Sequence, residues 1–209
     1  MALRARRAPA RHKGRAGSVA RKTRETDVRC ELVLDGEGRT AVKTGVPFLD
    51  HMLELFGKHG LFDLTVQARG DIEVDDHHTV EDVGLVLGQA LREAVGDKAG
   101  IRRFGEATVP LDEALVQTVV DLSGRPFLAY DVTIKQARIG RFDVELIHDF
   151  LLALVNQAGM NLHVRMLAGR NPHHVVEATF KGLARALDQA TQRDPRVRGV
   201  PSTKGTLGG

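Results

Sequence analysis

Cysteine and tryptophan are almost absent from the chain. Its 209 residues include one cysteine, Cys30, and no tryptophan. A single cysteine excludes a disulfide within the chain and is typical of a reducing compartment. Because Cys30 lies in a stretch that alternates apolar and polar residues, we predict that it is a packed strand residue.

Long apolar runs and glycine-rich phosphate loops are also missing. No stretch reaches the roughly 18 apolar residues of a membrane span, and the basic start lacks the apolar core of a secretory signal. We therefore expect a soluble, cytoplasmic protein. Neither a G-x-x-x-x-G-K loop nor a G-x-G-x-x-G loop occurs, which argues against a nucleotide cofactor.

Acidic residues are absent from the first part of the chain. The formal net charge is only +3, but residues 1–24 hold several arginines and lysines and no aspartate or glutamate. We interpret residues 1–18 as a basic, solvated and disordered arm. Nucleic-acid binding by this arm stays open, although no aromatic residue is interleaved there for base stacking.

The most informative pattern is a His-His-x-x-Glu motif that occurs twice, at residues 77–81 and 173–177. Each copy begins a segment with helical apolar spacing. A helix places residues four apart on one face, so the first histidine and the glutamate of each copy can bind one ion. The second histidine, His78 or His174, points roughly 100° away and would reach a different ion.

The motifs are part of a longer internal repeat. His173 follows His77 by 96 residues, and His148 follows His51 by 97. Apolar positions recur with similar offsets: Leu64, Val66, Leu87, Ala90 and Leu91 in the first half, and Leu162, Val164, Leu183, Ala186 and Leu187 in the second. We predict two similar half-domains, residues 19–104 and 105–209, which together form one catalytic domain.

Each half contains strand-like and helix-like stretches. Alternating residues on both sides of Asp35-Gly36-Glu37-Gly38 predict a hairpin, and Pro47 can open an amphipathic helix. The alternation in Ile72-Glu73-Val74 predicts a further short strand. Strands that pair within each half, with helices on one face, predict an α+β fold: a two-layer sandwich, duplicated.

The repeat predicts a metal site for two ions. Its members are six histidines and two glutamates: His51, His77, His78, Glu81, His148, His173, His174 and Glu177. By symmetry, one ion would take His77, Glu81, His148 and His174, and the other His173, Glu177, His51 and His78. Imidazole and carboxylate without thiolate suit manganese, iron or zinc, and an octahedral ion with open positions favours the first two.

Cations and hydroxyl groups elsewhere suit an anionic group such as phosphate. They are Arg103, which follows another arginine, Arg125 in a Ser-Gly-Arg-Pro turn, and Ser202, Thr203 and Lys204 near the C-terminus. Arginine offers a planar fork of donors to a phosphate, and lysine offers a point charge. Any one of these residues alone is typical of a solvated surface.

Five motifs resemble those of the imidazoleglycerol-phosphate dehydratase family. They are TGVPFLDHML at residues 44–53, DHHTVED at 76–82, DLSGRP at 121–126, NPHH-x-x-EA at 171–178 and PSTKG at 201–205. The resemblance extends from about residue 19 to residue 207. The basic arm lies outside the family pattern.

The resemblance implies a lyase of histidine biosynthesis that dehydrates D-erythro-imidazole glycerol phosphate to imidazole acetol phosphate. It implies two manganese ions (Mn2+) per active site, with the imidazolate of the substrate bridging them. It also implies a ribosomal protein S5 domain 2-like fold. The implied assembly is a homo-oligomer of 24 subunits built from trimers, with sites completed by neighbouring chains.

The resemblance also assigns roles that spacing does not. Glu25 corresponds to the catalytic glutamate of the family, although on its own it is an ordinary acid at a strand edge. Phosphate and substrate contacts are implied for Arg103, Arg125, Ser202, Thr203 and Lys204. The substrate would also contact Glu25, His51, His59, His77, Glu81 and His173.

Two other functions remain open from the residues alone. A binuclear metallohydrolase acting on a phosphorylated substrate would also use two ions and a cationic pocket, but the sequence has no aspartate-rich cluster of the usual kind. A non-enzymatic RNA-binding module would use the basic arm. Product analysis with the phosphorylated imidazole substrate separates these functions from the dehydratase.

Overall fold

The computed structural model describes residues 14–207. In this range the chain forms ten strands and four helices. The strands are β1 Ala16–Lys22, β2 Thr26–Val33, β3 Thr40–Lys43, β4 Asp63–Gly70, β5 Phe104–Leu111, β6 Ala114–Asp121, β7 Phe127–Asp131, β8 Arg138–Ile139, β9 Phe142–Asp143 and β10 Asn161–Ala168. The helices are α1 Pro47–Gly60, α2 His77–Val95, α3 Leu146–Ala158 and α4 Pro172–Thr191.

The two halves of the described chain have the same sheet topology. The first sheet has the strand order β1-β2-β4-β3, and the second has the order β5-β6-β10-β7. In each sheet the last strand pairs in parallel with its neighbour, and the other pairs are antiparallel. The strands β8 and β9 form a separate hairpin. The duplicated α+β fold predicted from the repeat is therefore confirmed.

Helices cover one face of each sheet, and the halves meet through their helices. In the first half α2 packs on β1 and β2, and in the second α4 packs on β5 and β6. Across the halves α2 contacts α3, and α1 contacts α4. The strands alternate buried and more exposed residues because one sheet face packs on helices. The buried side chains form one continuous core.

Equivalent glycines bring a strand close to a helix in each half. A Cβ atom on Gly17 in β1 would collide with the carbonyl oxygen of Ala90 in α2. A Cβ atom on Gly105 in β5 would collide with that of Ala186 in α4. Any side chain at these positions would push the strand off its helix. The glycines therefore fix the spacing between sheet and helix layers in both halves.

The strand β1 begins at Ala16, inside residues 1–18, which the sequence predicts to be a basic arm. Residues 1–13 lie outside the described part of the chain. Ala16 and Ser18 pair with Val33 and Glu31 of β2. Backbone pairing and the close fit of Gly17 on α2 thus extend the sheet three residues into the predicted arm. The second sheet begins at Phe104, one residue before the predicted start of the second half.

Three further expectations are decided by strand pairing, burial and local structure. The hairpin predicted around residues 35–38 is wrong, because β2 and β3 do not pair with each other but lie on either side of β4. Cys30 is buried in β2, as predicted, and burial raises the pKa of its thiol to about 12. The strand predicted at Ile72-Glu73-Val74 is wrong, because these residues form a turn that exposes Ile72 and Val74. No helix within residues 14–207 has the length and apolar character needed to cross a membrane.

Candidate metal centre and phosphate pocket

The two His-His-x-x-Glu motifs lie at the first turns of α2 and α4. The backbone N–H of His77 donates to Asp75 Oδ1 at 2.8 Å. The backbone N–H of His173 donates to the side chain of Asn171 at 3.0 Å. Each polar side chain satisfies a free N–H group at a helix start. Capping therefore places both motifs at a helix terminus, as the sequence predicts.

One cluster of potential metal ligands forms between α1 and α4. Ligand atoms of His51, His173 and Glu177 all lie within 4.8 Å of one another. Glu177 Oε2 is 3.1 Å from His173 Nε2 and 3.4 Å from His51 Nε2. These are three of the four residues predicted to bind one ion; the fourth is His78. Within residues 14–207 this is the only group of three or more histidine, cysteine or acidic residues that meets this distance limit.

The other predicted set is looser and is joined by an aspartate. His77 Nε2 lies 4.0 Å from Glu81 Oε2. Asp149 links His77 to His148. Its Oδ2 atom lies 3.5 Å from His77 Nδ1, and its Oδ1 atom lies 3.5 Å from His148 Nδ1. Asp149 was not predicted as a site residue. Its only signal in the sequence is its position next to His148.

The second histidine of each motif points away from both groups. The rings of His77 and His78 are inclined by 77°, and those of His173 and His174 by 86°. His78 Nδ1 lies 3.1 Å from Asp71 Oδ2, and His174 Nδ1 lies 2.8 Å from a carboxylate oxygen of Glu113. Within one chain neither histidine joins the set predicted for it. The predicted divergence of adjacent histidines is confirmed.

The predicted phosphate-binding residues lie together. A pocket of about 610 Å³ is lined by residues that include Arg103, Arg125, Ser202, Thr203 and Lys204. None of the clustered histidines is among its lining residues in the described part of the chain.

Arg103 shapes this pocket as well as lining it. Its guanidinium donates to both carboxylate oxygens of Asp121, at 2.7 and 3.0 Å. A third donation, at 2.9 Å, goes to the carbonyl oxygen of Pro201 and holds the C-terminal segment against the second sheet. One arginine therefore brings distant parts of the chain to one pocket.

Comparison with known proteins identifies the family of the chain. The family model for imidazoleglycerol-phosphate dehydratase matches residues 44–187. The chain belongs to the imidazoleglycerol-phosphate dehydratase family. Among its curated relatives, the imidazoleglycerol-phosphate dehydratase of Geobacillus sp. (strain WCH70) is 60% identical over 193 residues, which cover 92% of this chain and 99% of the relative. The imidazoleglycerol-phosphate dehydratase of Geobacter metallireducens is 58% identical over 193 residues, which also cover 92% of this chain and 99% of the relative.

Solved structures of the family share the fold. The enzyme of Staphylococcus aureus superposes with a TM-score of 0.78 at 37% identity, covering 86% of this chain and 99% of the other. The enzyme of Pyrococcus furiosus, in complex with (S)-C348, has a TM-score of 0.79 at 40% identity and covers 90% and 100%. Membership in the family makes the chain a carbon–oxygen lyase, a dehydratase of histidine biosynthesis.

A lysine that was not predicted as a site residue forms an ion pair with Glu177 in the cluster of His51, His173 and Glu177. Lys181 lies one turn after Glu177 on α4, and its Nζ atom is 2.6 Å from Glu177 Oε1. Burial alone would raise the pKa of Glu177, but hydrogen bonds and charge from Lys181, with further bonds from His173 and His51, outweigh it and lower the pKa. Glu177 is therefore held as a carboxylate that can bind a cation.

His59 lies near the same lysine, at the last turn of α1. Burial lowers the pKa of His59, and the positive charges of Lys181 and Arg185 lower it further. These effects favour a neutral imidazole. The charge of Glu177 acts in the opposite direction, so a member of the cluster is close enough to influence the pKa of His59.

Glu25, the glutamate matched to the family's catalytic residue, lies in the exposed turn between β1 and β2. Its backbone N–H donates to Thr23 Oγ1 at 3.1 Å. Among residues 14–207 its carboxylate forms no hydrogen bond or ion pair. It is close enough for its charge to contribute to the raised pKa of His78, whose main cause is the hydrogen bond to Asp71.

A buried network supports the turn that carries Glu25. Asp82 in α2 accepts hydrogen bonds from the hydroxyl of Thr26 and from Arg21 Nη1, the latter at 2.8 Å. Thr26 is the first residue of β2 and directly follows Glu25. At the matching place in the second half, Ala178 follows Glu177, so this network belongs to the first half alone. The network thereby joins the Glu25 turn to α2, the helix that begins with the first His-His-x-x-Glu motif.

Proposed function

We propose that this chain dehydrates D-erythro-imidazole glycerol phosphate to imidazole acetol phosphate with two manganese ions per active site. The observation that carries the proposal is the convergence of His51, His173 and Glu177, with the related group of His77, Glu81 and His148 in the repeat. These imidazole and carboxylate donors fit manganese. When bound, the two ions would act as Lewis acids on the substrate ring, which could bridge them as an imidazolate.

The proposed role of Glu25 is to carry protons near the glycerol chain of the substrate. The reaction removes a hydroxyl group from the carbon beside the ring and a proton from the next carbon. The enol that results becomes a ketone when it is protonated on carbon. A free, exposed carboxylate close to His78 is suited to take and return such protons.

Binding of the phosphate is assigned to the pocket around Arg103. Its residues offer guanidinium, ammonium and hydroxyl donors to a dianion: Arg103, Arg125, Ser202, Thr203 and Lys204. Arg103 shares its donors with Asp121 and Pro201, so we assign it mainly to orientation of the pocket. Arg125 and Lys204 would supply the charge that binds the phosphate.

The sites are proposed to be completed by neighbouring chains. Support comes from His78 and His174, which point away from the clusters of their own chain, and from a phosphate pocket without clustered histidines among its lining. We therefore propose a homo-oligomer in which each second histidine joins the cluster of another subunit. The assembly that the family resemblance implies, 24 subunits built from trimers, would meet this requirement.

The test is product formation by metal-free protein before and after addition of manganese. We expect imidazole acetol phosphate only after manganese is restored. Release of inorganic phosphate instead would favour the metallohydrolase and refute the dehydratase.

The matched variants are Glu25→Gln and His77→Ala. Glu25→Gln should keep manganese but lose turnover, whereas His77→Ala should lose both, because only His77 is a proposed ligand. Wild-type turnover by Glu25→Gln would remove Glu25 from the mechanism.

A further inference from the structure

The internal repeat gives Glu25 a counterpart that the mechanism does not use. Glu25 follows Gly17 by eight residues, and Glu113 follows Gly105 by eight. Both glutamates end the turn between the first two strands of a sheet, directly before β2 or β6. The two turns therefore present an acid at the same place, next to the His-His motif of their own half.

The two acids make different contacts. A carboxylate oxygen of Glu113 is 2.8 Å from His174 Nδ1, and its other oxygen accepts from the backbone N–H of Asn171 at 2.8 Å. Glu25 makes no side-chain hydrogen bond to any residue in the range 14–207. In its half, Asp71 takes the place of Glu113, with its two carboxylate oxygens 3.1 and 3.2 Å from His78 Nδ1.

The residue after the central strand explains this exchange. Asp71 directly follows β4, and the residue that directly follows β10 is Gly169. Glycine has no side chain to hold a histidine. The second half therefore uses its turn acid for that purpose, whereas in the first half Asp71 leaves the turn acid Glu25 free.

A carboxylate beside Nδ1 determines which nitrogen of the ring can bind a metal. An ionised carboxylate only accepts hydrogen bonds, so in the neutral ring Nδ1 carries the proton and Nε2 keeps its lone pair. Asn171 supports this tautomer, because its side-chain amide nitrogen, a donor, lies 3.4 Å from His174 Nε2. The carboxylate of Asp112 is 3.9 Å from the same nitrogen, beyond hydrogen-bond distance.

We propose that Asp71 and Glu113 are positioning residues that hold His78 and His174 as Nδ1–H tautomers, whose unprotonated Nε2 can bind manganese. This exchange of roles between the halves leaves Glu25 available for proton transfer. The inference rests on the proposed two-manganese site, and it concerns residues for which the family resemblance implies no role.

The test measures manganese affinity, with free manganese followed by electron paramagnetic resonance during titration of metal-free protein. In Glu113→Gln the side-chain oxygen can still accept from the Asn171 N–H, but the amide NH2 group would face His174 Nδ1 and move the ring proton to Nε2. Asp71→Asn makes the same change at His78. We expect each variant to bind manganese roughly tenfold or more weakly, in line with the effects of other residues that support metal ligands.

The matched control is Glu25→Gln, which makes the same chemical change at the counterpart position. It should bind manganese within about twofold of wild type because Glu25 holds no histidine. The thermal midpoints of the three metal-free variants should match that of wild type, which separates ligand positioning from a folding defect.

Three results would overturn the inference. Wild-type affinity in Asp71→Asn and Glu113→Gln would refute it while leaving the metal site intact. An equal loss in Glu25→Gln would refute the exchange of roles. Failure of the wild-type protein to bind two manganese ions per chain would refute the proposed function together with the inference.

Discussion

Replacement of Asp82 by alanine tests whether the buried network stabilises the turn that carries Glu25. Asp82 and Thr26 are buried, while the side chain of Arg21 is 36% exposed. Asp82→Ala would leave the Thr26 hydroxyl with Thr23 as its remaining polar neighbour, at 3.2 Å. It would also leave the guanidinium of Arg21 without its carboxylate.

The free-energy cost has two parts. A buried hydrogen bond to a carboxylate contributes about 1.5–3 kcal/mol. The ion pair adds about 0.5–1 kcal/mol, because water screens the partly exposed arginine. We therefore expect a loss of about 2–4 kcal/mol in the free energy of unfolding. Turnover should also fall, since the turn carrying Glu25 would no longer be tied to α2.

Urea denaturation followed by far-ultraviolet circular dichroism measures the stability change, and the dehydration assay measures turnover. Glu106→Gln on β5 is the control, because Glu106 is exposed and its carboxylate has no partner within residues 14–207. The control should stay within about 0.5 kcal/mol of wild type. If Asp82→Ala behaved like this control in both assays, the network would have no role in stabilising or positioning the turn.

Two further predictions concern packing and pH. Gly17→Ala and Gly105→Ala should each destabilise the fold by about 1–3 kcal/mol or more in urea denaturation, because backbone oxygens block the added methyl group. Gly14→Ala should be nearly neutral, since its Cβ atom would meet other atoms at 3.4 Å or more; equal stability of all three variants would contradict this packing account. Hydrogen bonds from Arg39 lower the pKa of Asp63 from 3.8 to about 2, so Asp63 stabilises the fold above pH 4 and loses this effect as the pH falls towards 2. The stability difference between wild type and Asp63→Asn should therefore narrow in that window, and a constant difference would contradict the assignment.

The fold and much of the site could be predicted because the repeat encodes them locally. Helical periodicity puts His173 and Glu177 on one face, and the Asn171 cap places that face at a helix start. Duplication then supplied His51 and His148, which spacing within one helix could not reveal. The diverging directions of adjacent histidines likewise follow from helix geometry alone.

The supporting acids could not be predicted because their contacts depend on tertiary packing. Asp71, Glu113 and Asp149 are acids in turns or at a helix start, and nothing in the local pattern shows which ring each one meets. Asp82 did leave a signal, since it is an acid on the buried side of an amphipathic helix.

The prediction of a strand at residues 72–74 was wrong for a related reason. Alternation over three residues is too weak to define a strand when the segment must connect β4 to the start of α2. No neighbouring strand of the sheet is free to pair with it, since β4 already lies between β2 and β3.

The most direct test of the account is the number of manganese ions per chain in fully active enzyme. Plasma mass spectrometry of protein titrated to maximal dehydration activity should give two ions per chain. Loss of either ion should abolish formation of imidazole acetol phosphate. Full activity with one ion per chain or fewer would contradict the two-metal site built from the repeated histidines.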